Sequence, residues 1–251
     1  MRTQSVSQFS AIERSHFTER KGVSLGEAFR ATRPATIGLA ASIACGISIV
    51  VAEGSTTRID IARHGIGTPP ADFEFRRTGE GELGQWTVVD DPTAVEGVAI
   101  EHISTDQRDD RFPLAIYKPL SAENLKLSVR LKIISGTSQA AGIVLCLRSP
   151  DSYYAVTANA LEQRVDLVLF TSGKSKRIDS SEAEVLRNRW HTLGVMLNDD
   201  HFAVSLDAKM LFTTYDRTRM KDGHIGLWTQ EDNVTRFDQI EFRVLPPTEW
   251  R

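Results

Sequence analysis

Arg148, Tyr153, Tyr154, Asn159 and Glu162 crowd into one short stretch of this chain. Arginine, asparagine and glutamate carry planar donor and acceptor groups that can grip neighbouring sugar hydroxyls. Tyrosine adds a flat face with a polar tip. Arg148 ends one apolar run, and the tyrosines open the next across Ser149-Pro150-Asp151-Ser152. Because the tyrosines are adjacent, strand alternation sends one into the core and the other outward or into a groove. The competing reading is that one tyrosine packs and the charged residues are solvated or paired. Trp228 joins the set as an aromatic ligand contact. Core packing is nonetheless the expectation for both Trp228 and Trp190, which border apolar runs, and for Trp86.

Other chemistries find little support. Glycoside hydrolysis usually needs two carboxylates at a fixed separation. Glu182-Ala183-Glu184 alternates correctly for a strand but sits in a charged segment expected to be looped or helical over Ser181–Arg187. His191 shares an apolar face with Leu193 and Val195, as a satisfied core or rim histidine does, and His102, His201 and His224 lack metal-ligand spacing. Without H-x-x-x-H or C-x-x-C, zinc is not expected. No metal or cofactor is expected, with calcium as the one candidate. It takes six to eight oxygens, which Asp199, Asp200, Asp207 and Asp238 could help supply; the simpler reading is turn chemistry. There is no phosphate-binding glycine loop and no G-x-S-x-G elbow. Cys146 reads as a small buried hydrophobe.

These residues must be positioned by the body of a 251-residue chain with a net charge of −3. The first 52 residues hold six Lys/Arg and three Asp/Glu, leaving 24 basic and 30 acidic residues behind them. A mildly acidic body argues against a nucleic-acid binder, which needs a basic footprint, and no nucleic-acid partner is expected. Arg30 and Arg33 precede the uncharged run Pro34–Ala52, which ends in small residues. That pattern predicts a signal peptide or membrane anchor, and so an exported, periplasmic or secreted body. The membrane would be touched only through this segment. Residues 53–71, with Gly65, Gly67, Pro69 and Pro70, read as a linker or extended lead-in.

From there strand follows strand. Leu125, Leu127, Val129, Leu131 and Ile133 alternate with polar residues, as do Val165, Leu167 and Leu169, then Leu193, Val195 and Leu197, then Phe202, Val204 and Leu206. Ile143, Leu145 and Leu147 lie in a run so apolar that both faces should be covered. Turn signals separate these runs at Ser135-Gly136, Ser172-Gly173 and Asn198-Asp199-Asp200. Short strands at this spacing predict an all-β, two-sheet antiparallel sandwich over 72–245, with a tail at 246–251.

The order of elements resembles the 3-keto-disaccharide hydrolase-like domains, also called family 16 glycoside hydrolase-like, of the concanavalin A-like lectin/glucanase superfamily. The resemblance rests on the stretch Ala141–Phe170, on Trp190-His191-Thr192-Leu193, on Phe202–Asp207, and on Gly226-Leu227-Trp228-Thr229 with Phe237-Asp238. It covers residues 69–245 and implies a jelly-roll sandwich, an envelope or secreted setting, and a carbohydrate or envelope-glycan partner. Two departures stand out. Ala208 follows Asp207 where relatives have glycine, and Gln239 follows Asp238 where relatives often have a second acid. The E-x-D-x-x-E string of laminarinase-like glucanases in this superfamily is missing. If chemistry follows the resemblance, a keto-sugar needs a base and an electrophilic stabiliser, and Glu162 with Arg148 is the pair to nominate. The reading adopted is therefore a glycan-binding module, with a 3-keto-disaccharide hydrolase, or a structural or protein-binding domain, as alternatives.

Overall fold

The computed structural model describes residues 54–218 and 222–246. The apolar run Pro34–Ala52, and with it the signal or anchor expectation, lies outside the described residues. So does most of the tail.

Fifteen strands and no helix make up the described chain. In chain order they are β1 (Thr57–Arg58), β2 (Phe73–Thr78), β3 (Gln85–Asp90), β4 (Val98–Ile103), β5 (Phe112–Ala122), β6 (Leu125–Ser135), β7 (Ala140–Ser149) and β8 (Ser152–Asn159). They continue as β9 (Arg164–Thr171), β10 (Lys174–Glu182), β11 (His191–Asn198), β12 (His201–Leu206), β13 (Lys209–Tyr215), β14 (Gly223–Thr229) and β15 (Val234–Val244). Two antiparallel sheets form a sandwich. One has eight strands, ordered β13-β12-β11-β6-β15-β4-β3 with β1 on β15; the other has seven, ordered β10-β9-β8-β7-β14-β5-β2.

The alternation read from the sequence sets which side chains meet between the sheets. Leu127, Val129 and Leu131 of β6, with Val195 and Val204 of the eight-stranded sheet, pack against Leu145 and Leu167 of the seven-stranded one. The lead-in contributes too, since β1 pairs with β15 and Ile59 and Ile61 are buried in the core.

β7 is buried on both faces, as its unbroken apolar run required. Its phase changes once. Ile143 and Leu145 face the inter-sheet core, but Leu147 belongs to a second apolar cluster on the outer face. Cys146 has φ +52 there, and the pairing with β8 shifts register after Leu145. A bulge of this kind re-aims the following side chain. Cys146 itself is buried, and burial pushes its thiol up to about 12.

Ser181–Arg187 is not helical. Lys174–Glu182 is instead the edge strand β10, paired with β9, and an irregular connection leads from it to β11. The turn at Asp207-Ala208 forms without a glycine. Both residues adopt the left-handed region, at φ +49 and +63, which a two-residue hairpin of this hand demands. Asp207 helps to fix it, accepting hydrogen bonds from Thr192 N at 2.8 Å and from His191 Nδ1 at 2.7 Å.

Trp190 departs from the expectation of core packing. It is half-buried on the outer face of the eight-stranded sheet. Its ring faces Arg130 and Lys132, whose cationic ends lie 4.8 and 4.6 Å from the centroid. Its indole N–H donates to Thr93 Oγ1 at 2.9 Å. Trp86, by contrast, is in the core.

Candidate functional site

Tyr153 and Tyr154 do point to opposite faces of β8, but neither ring is open to solvent: they are 0 and 1% exposed. Tyr154 enters the inter-sheet core beside Phe202, and its hydroxyl donates to Asp216 Oδ2 at 2.9 Å. Tyr153 lies on the outer face and is covered there by Phe170, stacked at 4.5 Å. Its hydroxyl is 2.7 Å from Thr78 Oγ1. Burial raises its pKa. The expectation of a groove-facing tyrosine is therefore corrected.

The nominated pair Arg148 and Glu162 is not brought together. Arg148 precedes β8 and Glu162 follows it, so they flank opposite ends of a strand whose ends are about 23 Å apart at ~3.3 Å per residue. An electrophile and a base at such a distance cannot serve one bond.

Asn159, Glu162 and Trp228 do meet. All three line a groove of about 390 Å³ on the outer face of the seven-stranded sheet. Its construction follows from strand register. Asp166 on β9 is opposite Thr157 on β8, Thr157 opposite Gly142 on β7, and Gly142 opposite Trp228 on β14. This row crosses the sheet, and β9 and β14 are three strand spacings apart, about 14 Å. The middle of the row carries small side chains. Gly142 has none, and a Cβ there would lie 2.1 Å from Val156 O. Ala140 and Thr157 keep the floor low, while longer residues rise on both sides.

One side is a row of paired charges. Arg164 donates through Nε to Asp166 Oδ2 at 2.8 Å and pairs with Glu162. Arg177, from the neighbouring edge strand, places Nε 3.3 Å from Asp166 Oδ1. Asp166 is buried, whereas Arg177 is half-exposed. One carboxylate thus hydrogen-bonds one guanidinium and ion-pairs with the other, its Oδ1 having no hydrogen-bond partner among the described residues, and Arg fork geometry suits adjacent oxygens. Asn159 uses its carbonyl oxygen to hold the turn, accepting from Leu161 N and Glu162 N at 2.9 Å each. Its amide nitrogen is the donor left for a ligand.

The other side is formed by Phe112, Trp228, Gln230 and Glu231. Phe112 stacks on Trp228 at 5.5 Å and meets Phe170 edge-on at 5.1 Å. Trp228 is only 3% exposed. It therefore supports the groove more than it offers a stacking face, as the core-packing expectation for this ring had it.

Asp166, Arg164, Arg177, Gln230 and Glu231 were missed in the sequence. The signal for β9 was present: Val165, Leu167 and Leu169 point inward, so Arg164 and Asp166 must point out. Nothing local indicated that Arg177 or Glu231 would join them.

A second groove, of about 500 Å³, lies on the outer face of the eight-stranded sheet. Met196, Met210, Gly194 and Ala203 make it largely apolar, and none of the residues proposed for sugar binding lines it. It lacks a convergent polar array.

The carboxylates considered for calcium are dispersed. Asp199 and Asp200 lie at the β11–β12 hairpin and Asp207 at the β12–β13 turn. Asp238 is in β15, where it accepts from Val95 N and Arg130 Nη1 at 2.8 Å each. Among the described residues no group of three or more His, Cys, Asp or Glu is placed to hold a metal. His191 is a satisfied histidine. It accepts from Leu186 N at Nε2, 2.9 Å, and so donates from Nδ1 to Asp207.

No family model matches the chain, and comparison with curated proteins gives no match. Solved structures do match. The carbohydrate-binding module CBM66 from Bacillus subtilis aligns at 17% identity with a TM-score of 0.54, over 67% of this chain and 94% of that one. A Bacillus subtilis protein of unknown function with a galectin-like fold aligns at 7% identity and a TM-score of 0.51, over 70 and 91%. A Shewanella oneidensis protein of unknown function aligns at 15% identity and 0.51, over 78 and 89%. These likenesses are of fold: the chain is an antiparallel jelly-roll sandwich of the kind seen in galectin-like proteins and carbohydrate-binding modules.

Proposed function

We propose that this protein is an exported module that binds a neutral glycan, such as an envelope polysaccharide, in the groove on the outer face of the seven-stranded sheet. The observation that carries this reading is the Arg164–Asp166–Arg177 row facing Trp228, Gln230 and Glu231 across a floor of small side chains. Charges in the groove nearly cancel, which suits an uncharged partner with many hydroxyls. The groove's size falls within the ordinary range for small-ligand sites, ~300–1,000 Å³. The same sandwich serves a carbohydrate-binding module in Bacillus subtilis, a likeness that supports the reading by analogy only.

Sugar hydroxyls exchange water for protein hydrogen bonds at small net gain. Affinity should therefore fall between about micromolar and millimolar, roughly −8 to −4 kcal/mol. The test is calorimetry against a panel of pentose and hexose oligosaccharides. Asn159→Ala should weaken binding, while Arg148→Ala, an exposed change outside the groove, should not. Absence of binding by a correctly folded protein would leave a protein-binding domain as the better reading. Release of free sugar from any panel member, 3-keto-disaccharides included, would make it a hydrolase.

Export rests on Arg30, Arg33 and the Pro34–Ala52 run. The purified native protein should begin near Glu53 if the segment is cleaved, or fractionate with membranes if it is kept. Intact soluble protein in the cytosol would sink this part of the proposal.

A further inference from the structure

Glu231 sits in the turn between β14 and β15, two residues beyond the end of β14. Its φ is +54, a left-handed conformation that is unfavourable for a residue with a side chain. Such a backbone persists only where its surroundings over-determine it. Here they do. Glu231 N donates to Arg111 O at 3.0 Å, and Arg111 Nη1 donates back to Glu231 O at 2.5 Å. Arg111 is itself fully buried and anchored by a bond from Nε to Glu82 O at 2.6 Å. On the other flank Asp232 accepts Thr137 N at 2.7 Å and Gln107 Nε2 at 3.1 Å. The next residue, Asn233, is fully buried, and its side chain accepts from Gln139 N at 2.9 Å.

This scaffold fixes a carboxyl group in the groove wall. Glu231 lines the groove yet is only 6% exposed. Its side chain makes one hydrogen bond among the described residues, from Gln230 Nε2 to Oε1 at 3.1 Å; Oε2 has none. Oε2 is not sealed from solvent, so a ligand hydroxyl entering the groove can reach it in place of water. The paired charges across the groove do not do so, since they are turned toward one another.

We propose that Glu231 is a ligand-contacting residue of this groove, completing its hydrogen bonds with a hydroxyl or ring oxygen of a neutral saccharide. The proposal rests on the glycan-binding reading above and adds a preference for uncharged over uronic sugars. Burial raises the carboxyl's pKa, the nearby Asp232 and Asp109 carboxylates raise it further, and the Gln230 bond works against them. The charged groups around it are those two aspartates, Arg111 behind it, and Glu162, Arg164, Asp166 and Arg177 in the same groove. A protonated carboxyl both donates and accepts. The sugar oxygen accepts from the protonated carboxyl, so binding is strongest below the raised pKa and weakens as pH rises through it, because the ionised group loses this donor. An anionic sugar is disfavoured wherever Glu231 is ionised.

The test is calorimetry with the purified full chain and neutral gluco-, xylo- and fructo-oligosaccharides, with oligogalacturonate beside them, from about pH 4 to 8. For the tightest neutral binder, Glu231→Ala should lower affinity by about tenfold, a loss typical of one hydrogen bond. Glu231→Gln, an isostere that keeps a donor and an acceptor, should hold the affinity seen at low pH and flatten its pH profile. Circular dichroism of both variants checks the fold. If Glu231→Ala misfolds, the pH profile of Glu231→Gln decides alone. Wild-type binding that is independent of pH, or unchanged in Glu231→Ala, overturns the role of Glu231 and leaves the groove standing. Preferential binding of oligogalacturonate overturns the neutral preference. No binding of any probe overturns the glycan reading and this proposal with it.

Discussion

Replacing Asp166 with alanine is expected to weaken saccharide binding by about 30- to 150-fold while leaving the protein folded. Asp166 is the one carboxylate that touches both groove arginines, at 2.8 Å from Arg164 Nε and 3.3 Å from Arg177 Nε. Removing it releases Arg177, which has no other ion pair among the described residues, and leaves Arg164 with Glu162 alone. Two guanidinium donors are misplaced together, and hydrogen bonds to charged groups are worth about 1.5–3 kcal/mol each, so about 2–5 kcal/mol is at stake. The lower part of that range applies, since Arg177 is half-exposed and remains solvated, and 2–3 kcal/mol corresponds to the stated loss. Calorimetry against the best ligand of the panel measures it, with a thermal melt alongside. Asp166→Asn keeps the shape but loses the charge, so it should fall between wild type and alanine. Affinity unchanged in the alanine variant would mean that glycan, if bound, is bound elsewhere, and the second groove would become the place to look.

Asp91→Asn is expected to lower the unfolding free energy by about 3–5 kcal/mol, the cost of breaking a buried ion pair from one side. Asp91 is buried on the outer side of the eight-stranded sheet and accepts four hydrogen bonds. Lys132 Nζ approaches Oδ2 at 2.5 Å and Arg236 Nη1 at 2.9 Å, while Thr93 N and Oγ1 reach Oδ1 at 3.0 and 2.5 Å. Thr93 and Lys132 also hold Trp190 in place. Asparagine fits the space but leaves two cations sharing no carboxylate at this point, with only Glu101 remaining for Arg236. Urea unfolding reads the loss directly, and a cost below about 1 kcal/mol would show that the network is decorative. The same group sets an acid dependence. Burial opposes ionisation of Asp91, but the bonds from Lys132, Thr93 and Arg236 outweigh it and hold its pKa well below the usual range. A carboxylate depressed in this way stabilises the fold above its unfolded value, near 3.9, and loses that contribution as pH falls through the folded value. Wild type should lose stability steeply in acid, and Asp91→Asn should lose less over the same interval.

Particular elements show what could be read in advance. The alternation in β6, β9, β11 and β12 reports burial on one face with period two. It was enough to assign the sandwich and the inward residues from Leu127 to Val204, because a residue's face depends only on its parity within a strand. The same parity placed Tyr153 and Tyr154 on opposite faces. It could not say that Tyr153 would be covered, since that depends on Phe170 from β9, with Phe112 and Trp228 completing the outer cluster. Parity alone also does not carry through β7, which was read as covered on both faces and is, with the Cys146 bulge placing Leu147 on the outer one.

The candidate site divides along the same line. Asn159, Glu162 and Trp228 were visible as residue types able to hold a sugar, and the groove contains them. Arg148 was grouped with them because it is close in sequence, but proximity along a strand is distance across a sheet. The hairpin turn that brings Arg148 near Tyr153 carries it to the far end from Glu162. Which residues face one another across the groove was settled by register between β9, β8, β7 and β14, strands that the sequence does not pair. Register and the neighbours it supplies are properties of the assembled sheet. A single chain therefore determined which of its residues turn inward and that two sheets must cover them. Only the packed structure decided that Asp166 would hold two arginines, and that a buried Arg111 would hold Glu231 against the opposite wall.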